Sequence, residues 1–177
     1  MRRWTTREGA TRTLEIGLGY GVAALFVCEA LLLNGDGARH VTLDPHQETR
    51  FGRIGLQLLE EAGVLELVEL HAEESQIALP RLLAAGERFD LAVVDGNHRF
   101  DGVFVDLVYL ARLVRPGGIV FVDDYQLPSV ARAVSFFLTN RDWKVEEIST
   151  DDDLHHWGVL RTSPSPDERP YDDFVDF

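Results

Sequence analysis

The sequence predicts an α/β protein built on a doubly wound, mostly parallel sheet of seven strands with helices on both faces. Three observations support this fold. Apolar segments with strand-like and helix-like spacing alternate along most of the chain. A glycine-rich turn follows the first strand, as in sheets that bind ligands at the ends of their strands. The last two strands are separated by a short loop, which predicts an antiparallel hairpin at the C-terminal end.

The first half of the chain supplies three strand and helix pairs. Residues 13–16 form a short apolar strand, and a mostly apolar helix over 20–33 ends before a segment rich in glycine. After the strand 40–43, Pro45 suits the first position of a helix. The other elements predicted in this half are a continuation of that helix through Phe51, Ile54 and Leu58, a strand over 65–70 and a helix over 77–85.

The second half repeats the alternation and then departs from it. Strands are predicted over 89–94 and 119–122, each followed by a helix, over 100–114 and 128–138 respectively. The two late strands, 143–148 and 157–160, have no helix between them and form the hairpin. Because parallel strands need helical crossovers, only these last two strands depart from the parallel arrangement.

Length and composition indicate one globular domain. The chain has 177 residues, of which 45% are hydrophobic and 27% charged, as in ordinary folded proteins. A chain of this size buries about 70% of its unfolded surface, so its core needs no disulfide or metal to fold. We divide it into an N-terminal extension (1–12), one domain (13–162) and an acidic, proline-rich tail (163–177).

Charge and residue usage exclude several classes of partner. The net charge of −13 argues against nucleic acid and anionic membranes, which are polyanions. The longest apolar run, 22–33, contains Glu29 and is too short to span a bilayer. The single cysteine, Cys28, excludes an internal disulfide and fits a reducing compartment. We therefore expect a cytoplasmic protein.

The residues just after each strand are the candidates for a site, because open parallel sheets bind ligands at the carboxyl ends of their strands. After the first strand, Gly17, Gly19 and Gly21 allow a sharp turn and a close approach of the backbone to a ligand. After the second strand, Asp44 suits the two hydroxyls of a ribose, although the segment that it begins also fits a capping box. The polar segment 71–75 after the third strand either meets a base edge or caps the next helix.

Three acids follow the fourth and fifth strands, namely Asp95, Asp123 and Asp124. Two unit charges 4 Å apart repel by about 4 kcal/mol at an effective dielectric constant of 20. These carboxylates therefore diverge, take up a proton, or share a cation. A hard cation such as Mg²⁺ prefers oxygen ligands of this kind and leaves coordination positions open for a substrate.

Two motifs resemble those of a known family. Glu15, Gly17, Gly19 and Gly21, followed by Asp44, resemble the cofactor site of class I S-adenosylmethionine-dependent methyltransferases. The segments 94–101 and 115–124 resemble the metal-dependent small-molecule O-methyltransferases, which include catechol-type and macrolide-sugar-type enzymes. The resemblance covers about residues 11–162 and implies a Rossmann-like fold that transfers a methyl group to a small hydroxylated acceptor.

The resemblance also implies a set of cofactor residues. The three glycines line the methionine and ribose portions of S-adenosylmethionine, and Asp44 holds the ribose hydroxyls. Glu15 orients the glycine loop or reaches the cofactor's amino group. Further residues expected at the cofactor are Glu73, Ser75 and Asp95.

The metal subgroup of the family implies the catalytic residues. In that subgroup an acid after the fourth strand and two ligands after the fifth hold Mg²⁺, and here these positions are Asp95, Asp123 and Asp124. The residue three positions beyond the first ligand is the general base, and here it is His98. An imidazole with an ordinary pKa of about 6.5 suits proton removal near neutral pH.

One departure from the family concerns the cover of the active site. Its members usually carry helices before the first strand that close over the cofactor, whereas about twelve residues precede Thr13. A partner subunit of a homo-oligomer or the tail aromatics Tyr171, Phe174 and Phe177 could supply the cover, or it is missing. Three other functions stay open: a metal-independent methyltransferase, a nicotinamide-dependent oxidoreductase, which the early third glycine disfavours, and a non-catalytic cofactor-binding or assembly module.

Overall fold

Seven strands form one mixed sheet in the computed structural model, which describes residues 1–149, 156–165, 170 and 172–177. The strands are β1 (Arg12–Ile16), β2 (Arg39–Leu43), β3 (Val68–His71), β4 (Phe89–Val94), β5 (Val114–Val122), β6 (Lys144–Ile148) and β7 (Gly158–Arg161). Their order across the sheet is β3-β2-β1-β4-β5-β7-β6. The first five run parallel, and β7 pairs antiparallel with both β5 and β6. The predicted doubly wound sheet with a C-terminal hairpin is confirmed.

Helices cover both faces of the sheet. They are α1 (Arg2–Arg7), α2 (Val22–Asn34), α3 (Ile54–Glu61), α4 (Ser75–Ala84), α5 (Phe100–Leu113) and α6 (Pro128–Asn140), with a short 3-10 turn at Leu65–Leu67. Successive side chains of β4 enter different cores, because they point to opposite faces. Ala92 and Val94 pack in the core under α4, α5 and α6, whereas Leu91 and Val93 pack with Trp4 and α2.

The structure differs from the sequence prediction at four elements. The strand predicted over 65–70 begins only at Val68, after a 3-10 turn, and the strand predicted over 119–122 begins already at Val114. The helix predicted from Pro45 begins only at Ile54, because residues 45–53 form a series of turns. Arg53, at the start of that helix, has a φ of +62°, in the left-handed region that is unfavourable for a non-glycine residue. The N-terminal segment, for which no element was predicted, contains α1 and buries Trp4 to 4% exposure.

The end of the tail packs on α6. Asn140 is buried and donates from Nδ2 to the Val175 carbonyl, while its Oδ1 accepts the Val175 amide, both at 2.8 Å. The rings of Phe174 and Phe177 pack on Phe136 of α6. Tyr171, the third aromatic residue considered for a cover, lies outside the described residues.

Glu147 on the edge strand β6 connects the hairpin to α1. It accepts hydrogen bonds from Trp4 Nε1, at 2.8 Å, and from the Arg3 guanidinium. The pairing of β6 with β7 shifts register between Val145 and Glu147, which marks an irregularity in this edge strand.

Two further features of the helices concern their length and the cysteine in α2. Within the described residues, no helix is both long and apolar enough to cross a membrane. Cys28 is a free thiol buried in α2, and burial raises the pKa of that thiol to about 12.

Candidate active site

The glycine turn after β1 is shaped by very close backbone contacts. Gly17 has a φ of +92°, and a Cβ atom at this position would lie 2.2 Å from the carbonyl oxygen of Asp95. Gly21 has a φ of +80°, and its Cβ would lie 2.8 Å from the carbonyl oxygen of Gly55 on α3. Only glycine fits at these two positions. The turn is therefore packed between the end of β4 and the start of α3.

Asp44, just after β2, fixes this turn from the other side. Its Oδ2 accepts the Gly19 amide at 2.9 Å and the Gln47 side-chain amide at 2.7 Å, and its Oδ1 accepts the His46 amide at 2.7 Å. Gln47 also donates to the Gly19 carbonyl at 2.8 Å. Asp44 is 3% exposed. The carboxylate thus orders the loops after β1 and β2 and still lies beside the cleft between them.

A cleft of about 480 Å³ opens at the carboxyl ends of the parallel strands. Its walls come from the loops after β1, β2 and β4 and from the first turn of α4. Of the residues predicted to bind a cofactor or to catalyse, the cleft is lined by Gly17, Gly19, Asp44, Ser75, Asp95 and His98.

Three other predicted cofactor residues lie outside the lining of this cleft. Glu15 is fully buried on β1, where its Oε2 lies 3.1 Å from His40 Nε2 and accepts the Thr42 hydroxyl at 3.4 Å. Burial raises the pKa of Glu15. Gly21 packs against α3 as described above, and Glu73 accepts a hydrogen bond from Arg81 at 2.7 Å.

Acidic and imidazole groups gather beside the cleft, after β4 and β5. Single side-chain ligand atoms of Asp95, His98 and Asp123 lie within 4.8 Å of one another. Asp124 contacts the same imidazole, because its Oδ2 lies 2.9 Å from His98 Nδ1. The structure therefore brings the three predicted metal-binding acids and the predicted base to one place, with His98 among the acids.

The contacts of His98 favour one placement of the proton on its imidazole ring and shift its pKa. With a proton on Nδ1 donated to Asp124, Nε2 carries the lone pair, 3.6 Å from Asp95 Oδ1. That nitrogen is buried and has no hydrogen-bond partner among the described residues. The neighbouring carboxylate of Asp95, with further contributions from Asp124 and Asp123, raises the pKa of His98 above 6.5 against the opposing effect of burial.

The loop after β5 is held in an uncommon conformation. Asp124 has a φ of +52°, in the left-handed region, and its Oδ1 accepts the Gln126 side-chain amide at 2.8 Å. Gln126 in turn accepts the His156 amide at 2.8 Å. The Ser129 hydroxyl at the start of α6 donates to the His98 carbonyl at 2.7 Å. These bonds fix Asp124 beside the imidazole.

Sequence reasoning missed three residues that shape the site. Gln47 holds both Asp44 and the glycine turn, and its sequence signal was its place at the end of the capping box that Asp44 begins. Gly55 lies inside a helical pattern, where a glycine suggests a close packing contact. Asp106 is a charged residue on an apolar stripe of α5, and it is 1% exposed.

Residues 14–125 match a family model described as "Methyltransferase domain". The search of curated protein sequences found no match.

Several solved structures share the fold. One is the O-methyltransferase TomG from Streptomyces achromogenes, involved in tomaymycin synthesis and solved with S-adenosylmethionine (TM-score 0.76, 24% identity, covering 92% of this chain and 77% of that one). Another is an O-methyltransferase from Bacillus cereus in complex with S-adenosylhomocysteine (TM-score 0.77, 17% identity, 92% and 78% covered). A third is the methyltransferase PaMTH1 from Podospora anserina, bound to S-adenosylhomocysteine (TM-score 0.73, 19% identity, 92% and 76% covered).

Proposed function

This chain belongs to the methyltransferase domain family, and we propose that its reaction is the Mg²⁺-dependent O-methylation of a small hydroxylated acceptor. The chain is an S-adenosylmethionine-dependent methyltransferase. The observation that carries the finer proposal is the group of three carboxylates and one imidazole after β4 and β5, beside a cleft at the carboxyl ends of the strands.

Residues around the cleft would hold S-adenosylmethionine. We propose that Gly17 and Gly19 contact the methionine and ribose portions, that Asp44 binds the ribose hydroxyls, and that Ser75 and Asp95 contact the nucleoside. Their common position at the cleft supports these roles. Three predicted cofactor residues lie outside the lining and act on the cofactor indirectly. Glu15 does so through its contact with β2, Gly21 through its packing on α3, and Glu73 through its hydrogen bond with α4. When bound, the cofactor supplies an electrophilic methyl group on a sulfonium.

The donor set at the end of the sheet fits a hard divalent cation. We propose that Asp95, Asp123 and Asp124 hold Mg²⁺, since carboxylate oxygens are the ligands this ion prefers. A bound divalent cation would neutralise the acids and lower the pKa of a nearby acceptor hydroxyl. For Asp124 this role competes with its hydrogen bonds to His98 and Gln126. Asp95 and Asp123, together with His98, offer ligand atoms that all lie within 4.8 Å of one another, and this spacing supports these two acids as ligands.

His98 is the general base in this proposal. Its Nε2 accepts the proton of the acceptor hydroxyl. Meanwhile Nδ1 keeps its own proton and donates it in a hydrogen bond to Asp124, so the lone pair stays on Nε2. The acceptor oxygen, once its proton is on His98, would be able to take the methyl group that bound S-adenosylmethionine would supply, and S-adenosylhomocysteine would leave. The proton on His98 then leaves to solvent. Asp124 supports the imidazolium as it forms, as the acid does in a catalytic triad.

Calorimetric titration of Mg²⁺ into protein saturated with S-adenosylhomocysteine tests the metal proposal. We expect one ion per chain, and we expect Asp123→Asn to abolish the heat of binding while affinity for S-adenosylhomocysteine is kept. The matched control is Asp101→Asn, an exposed acid on the first turn of α5 outside the group. A chain that binds the cofactor product but no Mg²⁺ would contradict the metal proposal alone.

A metal-independent reaction is the second candidate, and one observation favours it. His98 already has a carboxylate partner on Nδ1, so the His98 and Asp124 pair can remove a proton without a cation. Turnover that is unaffected by EDTA would support this reading over the first.

The size of the cleft and the exposed apolar side chains near it bear on the acceptor and on the cover of the cleft. We propose a small molecule with a free hydroxyl, in line with a cleft of about 480 Å³. We further propose that a second copy of the chain completes the cover, which the exposed apolar side chains Tyr20, Val22 and Phe26 near the glycine turn support. Light scattering that gives the mass of a single chain, with and without cofactor, would contradict the second point.

A further inference from the structure

A second cavity lies at the opposite end of the sheet from the cleft. The cleft opens where the parallel strands end, whereas this cavity lies beside Val114, the first residue of β5, and Arg88, which precedes β4. Its volume is about 470 Å³, which is close to that of the cleft and within the range of small-molecule sites. No described residue lines both cavities, so a ligand in one leaves the other open.

The floor of the second cavity is apolar, and one of its walls is held by hydrogen bonds. Phe137 of α6 and Trp143, just before β6, are both buried, and their ring centroids lie 5.0 Å apart. The wall is the segment after β7, in which the Ser163 carbonyl accepts the Gly117 amide of β5 at 2.9 Å. The cavity therefore has a fixed apolar floor on which an apolar group can lie.

The lining of the cavity also carries three guanidinium groups from separate parts of the chain. Arg88 precedes β4, Arg112 lies in the last turn of α5, and Arg141 follows α6. Among the described residues that line the cavity there is no aspartate or glutamate, although the chain has 30 acidic and only 17 basic side chains. In so acidic a chain, a cavity that collects only positive charge is complementary to an anion.

Two of these cations keep donors for a ligand. Arg88 Nη1 donates to the Glu87 carbonyl at 2.7 Å, and Arg112 Nη1 donates to the Val108 carbonyl at 3.3 Å. Within the part of the chain that the structure describes, neither guanidinium pairs with a carboxylate, unlike Arg115, which pairs with two. A guanidinium has five N–H donors, so each of the two has several left.

We propose that this cavity is a second ligand site, which takes a small carboxylate with an apolar chain or ring. The apolar body would lie on Phe137 and Trp143, and the carboxylate would meet the guanidinium groups of Arg88 and Arg112. Planar guanidinium groups bind carboxylates through two parallel hydrogen bonds, which favours this head group over a neutral one. The site is independent of the proposed methyl transfer, because the two cavities have separate linings.

Octanoate tests the proposal as a probe, with octanamide as a neutral match of the same length. Calorimetry in EDTA is done without and with saturating S-adenosylhomocysteine, which would block the cleft. We expect the native chain to bind one octanoate, about tenfold more tightly than octanamide, and with the same affinity in both conditions.

Substitution of the arginines tests the contact with the carboxylate. Arg88→Gln and Arg112→Gln should each lower the preference for octanoate by about threefold, since ion pairs of exposed guanidinium groups are weak. The two substitutions together should remove the preference. The matched control is Arg2→Gln, which changes the net charge equally at an exposed position outside the cavity lining and should keep the preference.

A charge placed inside the cavity gives a second, independent test. Ala111 is an exposed residue of α5 that lines the cavity. Ala111→Glu supplies a carboxylate to the two arginines and should remove the preference for octanoate. Ala111→Gln has the same size without the charge and should keep it.

Three outcomes would overturn the inference. The first is equal affinity of the native chain for octanoate and octanamide, or binding of neither. The second is displacement of octanoate by S-adenosylhomocysteine, which would place the probe in the cleft. The third is a preference for octanoate that survives both in the double arginine variant and in Ala111→Glu, which would place the carboxylate elsewhere.

Discussion

At the scale of single residues, the imidazole of His98 lies between two carboxylates. Nδ1 is within hydrogen-bond distance of Asp124, and Nε2 lies slightly farther from Asp95. Because its folded-state pKa is raised above 6.5, the charged pair contributes stability fully below pH 6.5 and loses it as pH rises through the higher folded value. If His98 is the general base that we propose, catalysis by its neutral form should have the opposite dependence and increase over the same pH interval.

The raised pKa can be measured without activity. In metal-free protein, the imidazole C–H proton resonances of His98, assigned with His98→Gln, should titrate with a midpoint above 6.5. Asp95→Asn should lower that midpoint, because the Asp95 carboxylate is the largest cause of the shift. Asp101→Asn should leave it in place. A native midpoint at or below 6.5 would contradict the arrangement of acids described above.

Sequence could identify the site's charged residues but not their contacts. Asp44, Asp95 and Asp123 were predictable because each directly follows a strand, and strand ends meet at one edge of the sheet. The fixed position of Asp124 against His98 depends on a left-handed backbone turn and on Gln126, which no residue spacing reveals. Asp106 was missed because an acid on a helix is ordinarily exposed, whereas this one is 1% exposed in the folded chain.

At the scale of elements, the start of α3 is packed directly on the glycine turn. A Cβ on Gly55 would lie 2.7 Å from the Gly19 carbonyl oxygen and 3.1 Å from the Gly21 amide nitrogen. Both contacts are with backbone, so a larger residue must displace the helix or the turn. The position of α3 thus sets the shape of the turn that borders the cleft.

Gly55→Ala should therefore weaken cofactor binding more than it affects folding. Alanine gains up to about 1 kcal/mol of helix propensity over glycine, which offsets part of the strain. We expect affinity for S-adenosylhomocysteine to decrease by about tenfold, a loss of about 1.4 kcal/mol. Calorimetry measures the affinity and thermal unfolding measures the stability. Both are compared with those of Gln57→Ala, a variant at an exposed position on the same helix. Native affinity in the Gly55 variant would show that the turn does not depend on α3.

The elements also show where local sequence signals fail. The alternating pattern predicted every strand and five of the six helices, because buried parallel strands are short, apolar and bounded by turns. The helix predicted from Pro45 was placed too early, since Asp44 and Gln47 hold residues 45–53 in turns against the glycine loop. The helix α1 was missed because its stabilisation comes from burial of Trp4 rather than from its own propensity.

At the scale of the whole molecule, the end of the chain is attached to the domain rather than extended from it. The paired hydrogen bonds of Asn140 and the contacts of Phe174 and Phe177 hold residues 172–177 on α6. Asn140 is the last residue of α6, and neither it nor Val175 lines the cleft. The described end of the tail thus contributes to stability, and it does not cover the cleft.

Asn140→Ala should lower the free energy of unfolding by about 1–3 kcal/mol, because it removes both hydrogen bonds, each of which contributes about 0.5–1.5 kcal/mol. Cofactor affinity should stay within twofold, which is about 0.4 kcal/mol. Urea denaturation measures the first effect and calorimetry the second. Thr139→Ala, an exposed position on the same helix, is the control. A variant as stable as the native chain would mean that the attachment of the tail contributes nothing.

The irregular hairpin strand has a consequence for the behaviour of the protein at high concentration. A free sheet edge offers unpaired backbone groups to any extended chain. Edge strands that carry charges or bulges resist pairing with a strand of another chain. One edge here, β6, combines a register shift with Lys144, Glu146 and Glu147, the last of them held by α1. The other edge, β3, is only four residues long and carries Glu69. Both borders of the sheet are thus unsuited to adding a strand from another molecule, so the hairpin protects against aggregation as well as completing the sheet.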